Sequence, residues 1–189
     1  MAFNVNQFRT QLQGDGARPN LFEVSLNFPS YVTNRLTASV KSSFMVKTAQ
    51  LPGSTVGIVP VQYFGREVKV AGNRTFADWT VSILNDEDFI IRNAMDAWVR
   101  GINDNETNLR SALTTQEYSV DALVKQYSKD GNSIKEYKFV GMFPTDVAPI
   151  DLDWGSNDTI EEYSVTFSYQ YWVEGTARSP IPSSLGPLG

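Results

Sequence analysis

Strict alternation of apolar and polar side chains near the end of the chain is the feature that most limits how the chain can fold. In the run EEYSVTFSYQYW, residues 161–172, single polar residues separate Tyr163, Val165 and Phe167, and the pattern continues to Tyr171. A period of two places every second side chain on one face of an extended strand, whereas a helix would scatter them. The run therefore predicts a half-buried β-strand that needs a sheet to lie in.

Earlier parts of the chain repeat this pattern and are rich in the residues that strands favour. The chain contains 11 Phe, 8 Tyr and 4 Trp, and aromatic residues are enriched in β-sheets. Gly65 interrupts one of these runs and is interpreted as a bulge or a close approach of two backbones. Residues 29–42 are predicted to be a polar loop. The further predicted strands are 21–28, 43–51, 61–70 and 75–84.

Residues 118–144 predict a long hairpin centred on Asp130 and Gly131. An Asp-Gly pair between two alternating runs favours a type I′ turn, because that turn needs positive φ at both central residues. The hairpin is long, regular and mixed in charge, which is typical of a strand pair that could continue the sheet of a neighbouring subunit.

One segment, residues 86–100, has the period of an amphipathic helix. Asn85 is its predicted N-cap, with Asp88 three residues further on in a variant of the capping box. Gly101 is the predicted terminator. The apolar stripe consists of Ile91, Ala94, Met95, Trp98 and Ile102. The pattern as a whole predicts a mainly β domain over 1–172, a sandwich or barrel with one flanking helix, followed by a Pro/Gly-rich extended tail over 173–189.

Composition excludes several classes of function. The chain has no Cys and no His, so it lacks thiolate chemistry, disulfides and the side chain most used for acid–base catalysis and metal binding. A net charge of -5 argues against a protein that grips nucleic acid, which needs clustered Lys and Arg. No signal peptide and no membrane-spanning run is expected. We therefore expect no catalytic residue, metal or cofactor.

The nearest approach to a metal motif is DLDWGSNDTIEE, residues 151–162. Asp151, Asp153 and Glu162 stand at positions 1, 3 and 12 of a calcium loop, but Gly155 and Ser156 occupy positions where that loop needs Asp or Asn and then Gly. The two aspartates could also be imagined as the acid and base of a glycosidase. A turn with Asx hydrogen bonds is the favoured interpretation, with a calcium-dependent adhesin and a carboxylate-based glycosidase as alternatives.

Several longer runs resemble one known family. They are ARPNLFEV (17–24), LPG (51–53), VAGNRTFADWTVSILND (70–86), KQYSKD (125–130), FVGMFPTDV (139–147) and LDWGSNDTIEEYSVTFSYQYW (152–172). In this order they resemble the tail tube proteins of contractile-tailed phages of the large myovirus type. The resemblance implies two antiparallel β-sheets packed nearly orthogonally beside a helix.

The resemblance also implies a structural protein of the virion and not an enzyme. Such subunits form hexameric rings that stack into the inner tube of the tail, and the genome passes through the lumen without specific binding. The implied partners are further copies of the chain, the tail sheath protein, and baseplate and tail-terminator proteins, with assembly in the host cytoplasm and no insertion into a membrane. A baseplate tube initiator and the inner tube of a non-phage contractile injection system are the alternatives.

Two sets of residues become candidate sites on this basis. Asn73 and Arg74, expected in a turn, and Asp130 and Gly131, expected at a hairpin tip, are candidates for the subunit interface. By analogy with the family, the inner sheet would contain strands 43–51, 61–70, 119–128 and 133–142. A lumen of mixed or acidic charge would keep DNA phosphates from adhering. The candidate lumen-facing residues are Lys47, Glu67, Asp121, Lys125 and Glu136.

Overall fold

A computed structural model describes residues 5–12 and 16–175, in which β-strand is more common than helix. The strands are β1 (Phe22–Ser25), β2 (Val46–Thr48), β3 (Thr55–Tyr63), β4 (Arg66–Thr75), β5 (Trp79–Leu84), β6 (Val120–Tyr127), β7 (Ser133–Val147), β8 (Glu162–Ser168) and β9 (Tyr171–Glu174). The helices are α1 (Val5–Gln11), α2 (Arg35–Met45), α3 (Ile90–Ile102) and α4 (Thr115–Tyr118).

Strand β7 joins two halves of one antiparallel sheet. The strand order is β1-β6-β7-β8-β5-β2, with β9 also paired to β7. The first part of β7 pairs with β6 and β9, and its last part, from Phe143 onward, pairs with β8. Gly141, with φ 65°, lies between the two parts in a conformation that other residues rarely adopt. Trp79 of β5 stacks on Phe139 of β7, with ring centroids 4.4 Å apart, so the two halves cover a common core.

The period of two in the sequence produces this core. Trp79, Val81 and Ile83 of β5 are buried and alternate with more exposed residues, as predicted. Strand β8 buries every second residue in the same way. The predicted strand 161–172 is interrupted at residues 169–170 and resumes as β9, which pairs with the other half of β7. Because β9 runs to Glu174, ordered chain extends beyond the predicted boundary at 173, and residues 176–189 of the predicted tail lie outside the described residues.

Helix α3 buries the predicted apolar stripe, but both of its predicted ends were wrong. Asn85 is not its cap, because the Asn85 backbone N–H and side-chain amide both donate to Glu161, at 2.8 and 2.9 Å. The carboxylate of Asp88 instead accepts the N–H of Ile90 at 3.1 Å. Gly101 lies within the helix, where an added Cβ would approach Cε2 of Tyr31 to 2.2 Å. Glycine is needed there for close packing and not to end the helix.

The predicted loop at 29–42 was wrong, since it contains most of α2. The large side chains Leu36, Val40 and Phe44 are 72%, 67% and 78% exposed, whereas the small Ala38 and Ser42 are buried. This is the reverse of an ordinary amphipathic helix. Because the buried face has only small residues, the sequence pattern did not predict a helix here. The hydroxyl of Ser42 accepts the N–H of Leu26 at 3.3 Å, so the helix covers part of the edge beside β1.

An ion cluster ties α2 to the start of α3. The ammonium of Lys41 contacts the carboxylates of Asp86, at 2.6 Å, and Asp88. The hydrogen bond from Lys41 is the largest cause that lowers the pKa of each carboxyl group, and a hydrogen bond from a backbone N–H is the second. The hydrogen bonds to Asp86 and Asp88 in turn raise the pKa of Lys41.

We expect this cluster to make stability depend on pH in acid. Carboxyl groups with a lowered pKa stabilise the fold above their unfolded pKa of about 3.9, and this contribution is lost as the pH falls through the folded value. The difference in melting temperature between the wild type and Lys41→Met should therefore be larger at pH 7 than at pH 2. Lys69→Met, on an exposed strand, is the control. A difference that stays constant across this range would contradict the assignment.

Tyr163 has a buried hydroxyl with no hydrogen-bond partner among the described residues. Burial raises the pKa of Tyr163 well above its ordinary value. Leaving a buried polar group unpaired costs about 1–3 kcal/mol. We therefore expect Tyr163→Phe to raise the free energy of unfolding by up to that amount in chemical denaturation. Tyr31→Phe should lower it, since the Tyr31 hydroxyl donates to the carbonyl of Trp98 at 3.0 Å. Loss of stability in Tyr163→Phe would mean that the hydroxyl has a partner.

Candidate assembly surfaces

Strands β3 and β4 form a separate two-stranded hairpin, which we call the arm (residues 55–75). The predicted single strand over 61–70 was wrong, because Phe64 and Gly65 form a tight turn with φ 44° and 78°. Positive φ at both residues is the geometry of a type I′ turn. The sequence signal for this turn is an X-Gly pair flanked by alternating runs, and it was interpreted as a bulge or a close approach of two backbones.

The arm lies outside the core. Apart from the half-buried Gly72, every residue of its two strands is exposed. An isolated two-stranded hairpin is marginally stable in water, and both of its outer edges present unpaired backbone groups. The arm is therefore suited to pairing or packing with another chain.

The two faces of the arm differ in polarity. Cross-strand partners point to the same face, so the pairs Val59–Val70 and Val61–Val68 form one apolar surface that ends at Tyr63 and Arg66. The opposite face carries the pairs Gln62–Glu67 and Pro60–Lys69. A contiguous exposed apolar surface of this kind usually marks an interaction site.

Asn73 and Arg74 lie in strand β4 at the base of the arm and not in a turn, so that prediction was wrong. Arg74 pairs with Val56 in the ladder, and the register shifts between Val56 and Ile58. At this bulge Gly72 lies close to Gly57, since a Cβ on Gly72 would be 3.2 Å from the Gly57 carbonyl. Glycine at both positions allows the two strands to approach closely. The turn that joins the strands is at Phe64-Gly65, and not at Asn73-Arg74.

Asp130 and Gly131 are exposed at the tip between β6 and β7, as expected, but the turn is not type I′. Only Gly131 of the pair has positive φ, at 80°. The N–H of Ser128 donates to the carbonyl of Asn132 at 2.8 Å, which closes a longer loop. Strand β6 is enclosed by β1 and β7, so much of this hairpin's backbone is already paired within the subunit.

The structure brings together three of the five candidate lumen residues. Asp121, Lys125 and Glu136 share the face of β6 and β7 that is turned away from the buried Val124 and Phe139. Glu67 lies on the polar face of the arm. Lys47 lies on β2 in the other half of the sheet, with its ammonium 2.6 Å from the Glu162 carboxylate.

Charges on that face of β6 and β7 are paired. The ammonium of Lys138 is 2.7 Å from Asp121, whose hydrogen bond raises the pKa of Lys138. Lys125 and Glu136 face each other across the strands with 3.8 Å between their charged groups. We call these four residues the paired-charge face. Each lysine there has a carboxylate beside it, so the face offers no row of unpaired cations to a polyanion.

Two residues of the calcium-like motif, Asp153 and Glu162, are engaged in other contacts. The Asp153 carboxylate accepts the N–H of Gly155 at 3.1 Å and the hydroxyl of Ser156 at 3.2 Å, which confirms the Asx turn. Within residues 5–12 and 16–175, no group of three acidic, His or Cys side chains could hold a metal ion. The same residues include no helix long and apolar enough to cross a bilayer.

Comparison with known proteins places the chain in a family. The model of the phage tail tube protein family matches residues 17–175. The chain is 38% identical over 160 residues to the tail tube protein gp19 of Enterobacteria phage T4, covering 84% of this chain and 92% of that protein. It is 25% identical over 177 residues to the tail tube protein of Serratia phage KSP90, covering 92% and 98%.

Solved structures agree at the level of the fold. A chain of the sheath-tube complex of an extracellular contractile injection system, solved in its extended state, superposes with a TM-score of 0.58 at 13% identity, covering 92% of this chain and 98% of that one. With the family match spanning most of the sequence, the chain belongs to the phage tail tube protein family.

Proposed function

We propose that the chain is the subunit of the inner tube of a contractile phage tail, forming hexameric rings that stack around a lumen through which the genome passes. The observation that carries the proposal is the arm. The arm extends away from the core and has two unpaired strand edges and an uncovered apolar face, which another copy of the chain would cover. Relatives of the chain at 38% and 25% identity are named tail tube proteins.

Closing a ring by strand addition removes the exposed edges that make such a hairpin prone to aggregation. Four strands from each of six subunits would give roughly 24 strands, and barrels beyond about 16 strands keep an aqueous channel. The arm supplies two of these strands and the β6–β7 hairpin the other two. In this arrangement the apolar face of the arm packs on a neighbour, and Asn73 and Arg74 lie at its base near the joint.

The paired-charge face and the polar face of the arm would line the lumen. Each lysine of the paired-charge face lies beside a carboxylate, so phosphates would find no track of free cations on it. Glu67 would add a negative charge from the arm. DNA would then slide through without specific binding.

The proposed partners outside the tube are the sheath, the baseplate and the tail terminator, with assembly in the host cytoplasm and no insertion into a membrane. One structural neighbour comes from a sheath-tube complex and another from a tube-terminating cap, and both support the proposal at the level of the fold. The names of the phage relatives favour the tube itself over a baseplate initiator.

Negative-stain microscopy of the purified protein tests this function. We expect long tubes of constant diameter with an axial channel. Single rings that never stack would favour a tube initiator. Protein that stays monomeric at high concentration would contradict the proposal.

A role without catalysis or metal is part of the proposal. Asp153 is engaged in a turn and Glu162 in an ion pair, so the calcium-like motif has few free ligands. Calorimetric titration with calcium should give no stoichiometric binding. Tight binding that Asp151→Ala abolishes would overturn this part.

A further inference from the structure

We infer that the tip of the arm docks on the loop between β7 and β8 of a neighbouring subunit, with Trp154 as the anchor of the contact. The inference rests on the proposed function, because it names the surface that receives the arm in the assembled tube. We call residues 149–161 the acceptor loop.

The acceptor loop exposes large apolar side chains in an acidic setting. Trp154 is 100% exposed, and Leu152 and Ile160 are 79% and 70% exposed. From residue 146 to residue 162 the chain has acidic residues and no Lys or Arg. An uncovered Trp flanked by aliphatic side chains is the type of group that anchors protein interfaces. The acidic residues are Asp146, Asp151, Asp153, Asp158, Glu161 and Glu162.

The tip of the arm is complementary to this surface. Phe64 is 91% exposed and packs edge-on against Tyr63, with ring centroids 4.6 Å apart. Arg66 lies on the same face as Tyr63. A guanidinium beside aromatic rings can stack on an indole and also pair with carboxylates. The arm has more basic than acidic residues, whereas the whole chain has a net charge of -5, so the arm and the acceptor loop attract each other.

The two surfaces lie at opposite ends of the same strands. The arm leads into β5 at Trp79, whereas the acceptor loop leads into β8 at Glu162, which pairs with Leu84 at the far end of β5. At about 3.3 Å per residue, these ends are roughly 17–20 Å apart. A donor at one end and an acceptor at the other give a head-to-tail contact, which repeats from subunit to subunit.

The exposed stripe of α2 is a second apolar surface, but its charge is less suitable. Leu36, Val40 and Phe44 lie on the helix that also carries Arg35 and Lys41. Lys41 is already paired with Asp86 and Asp88, Arg35 has the same sign as Arg66, and α2 itself contains no acidic residue. Electrostatics therefore favour the acceptor loop over α2 as the site for the tip.

Cross-linking tests the contact directly, because the chain has no native Cys. Phe64→Cys protein would be co-assembled with Asn157→Cys protein and treated with a short bis-maleimide. We expect a covalent dimer that forms in tubes and not in dissociated subunits. A mixture of Phe64→Cys and Phe44→Cys protein, treated in the same way, is the matched control for docking on α2 and should give no covalent dimer.

Charge reversal provides a second test. Arg66→Glu should raise the protein concentration at which tubes first form by about tenfold, which corresponds to about 1.4 kcal/mol. Asp151→Arg in the same chain should restore assembly. Lys69→Glu, a reversal on the opposite face of the arm, is the control and should have a smaller effect. Circular dichroism of each variant checks that the monomer is folded.

The outcomes separate this inference from the proposed function. Wild-type protein that never forms tubes would overturn both. Tubes that form without a dimer between residues 64 and 157 would overturn the inference alone, as would a dimer between residues 64 and 44. An Arg66→Glu defect no larger than that of Lys69→Glu would also contradict it.

Discussion

Trp98→Ala is expected to lower the free energy of unfolding by about 3–5 kcal/mol, the usual range for truncating a large buried aromatic side chain. Trp98 is fully buried, and its indole N–H donates to the carbonyl of Tyr118 at 2.7 Å. Its ring packs edge-on against Phe28, with centroids 5.7 Å apart, and lies near Phe167 of β8. One side chain thus holds α3 against the sheet.

Equilibrium denaturation measures this loss, and the chain supplies its own control. Trp154 is fully exposed, so Trp154→Ala should change the free energy of unfolding by no more than about 0.5 kcal/mol. In a domain with a total stability of about 5–15 kcal/mol, the Trp98 variant should show a much lower midpoint. A loss below about 1 kcal/mol would mean that α3 does not pack as described, since large core truncations cost more.

Removing residues 58–71 is expected to abolish tube assembly and leave the subunit folded. Gly57 and Gly72 already lie side by side, so joining them closes the arm at its base with two residues that tolerate a tight turn. The deleted residues are all exposed, and losses of surface groups usually change stability by about 0.5 kcal/mol or less. The thermal midpoint should therefore move by only about 2 °C.

Assembly should respond far more strongly than folding. We expect no tubes at about a hundredfold the concentration that the wild type needs, a loss of about 2.7 kcal/mol, as measured by light scattering and microscopy. The comparison variant carries Asp130→Ala and Gly131→Ala at the tip of the other hairpin. If that variant loses rings while the shortened arm keeps them, the β6–β7 hairpin is the joint between subunits.

Local pattern was enough to predict the elements whose burial follows a simple period. Alternation in 75–84 and 161–172 predicted half-buried strands, which the structure has as β5 and β8, and the stripe in 86–100 predicted the apolar face of α3. These predictions were confirmed because in each segment the large apolar residues are the buried ones. Helix α2 broke this relation, since its large residues face outward and its small ones pack inward, and it was read as a loop.

The amino-acid sequence by itself determined the mainly β class, the buried faces of the strands and, through long uncommon runs, the family. Tertiary structure alone decided that β7 serves both halves of the sheet, that residues 55–75 form an arm outside the core, and that Asp121, Lys125 and Glu136 share a face while Lys47 does not. The physical reason is that periodicity reports which side of an element is buried. Which strands become neighbours, and which apolar faces stay uncovered, depends on pairing between residues far apart in the chain.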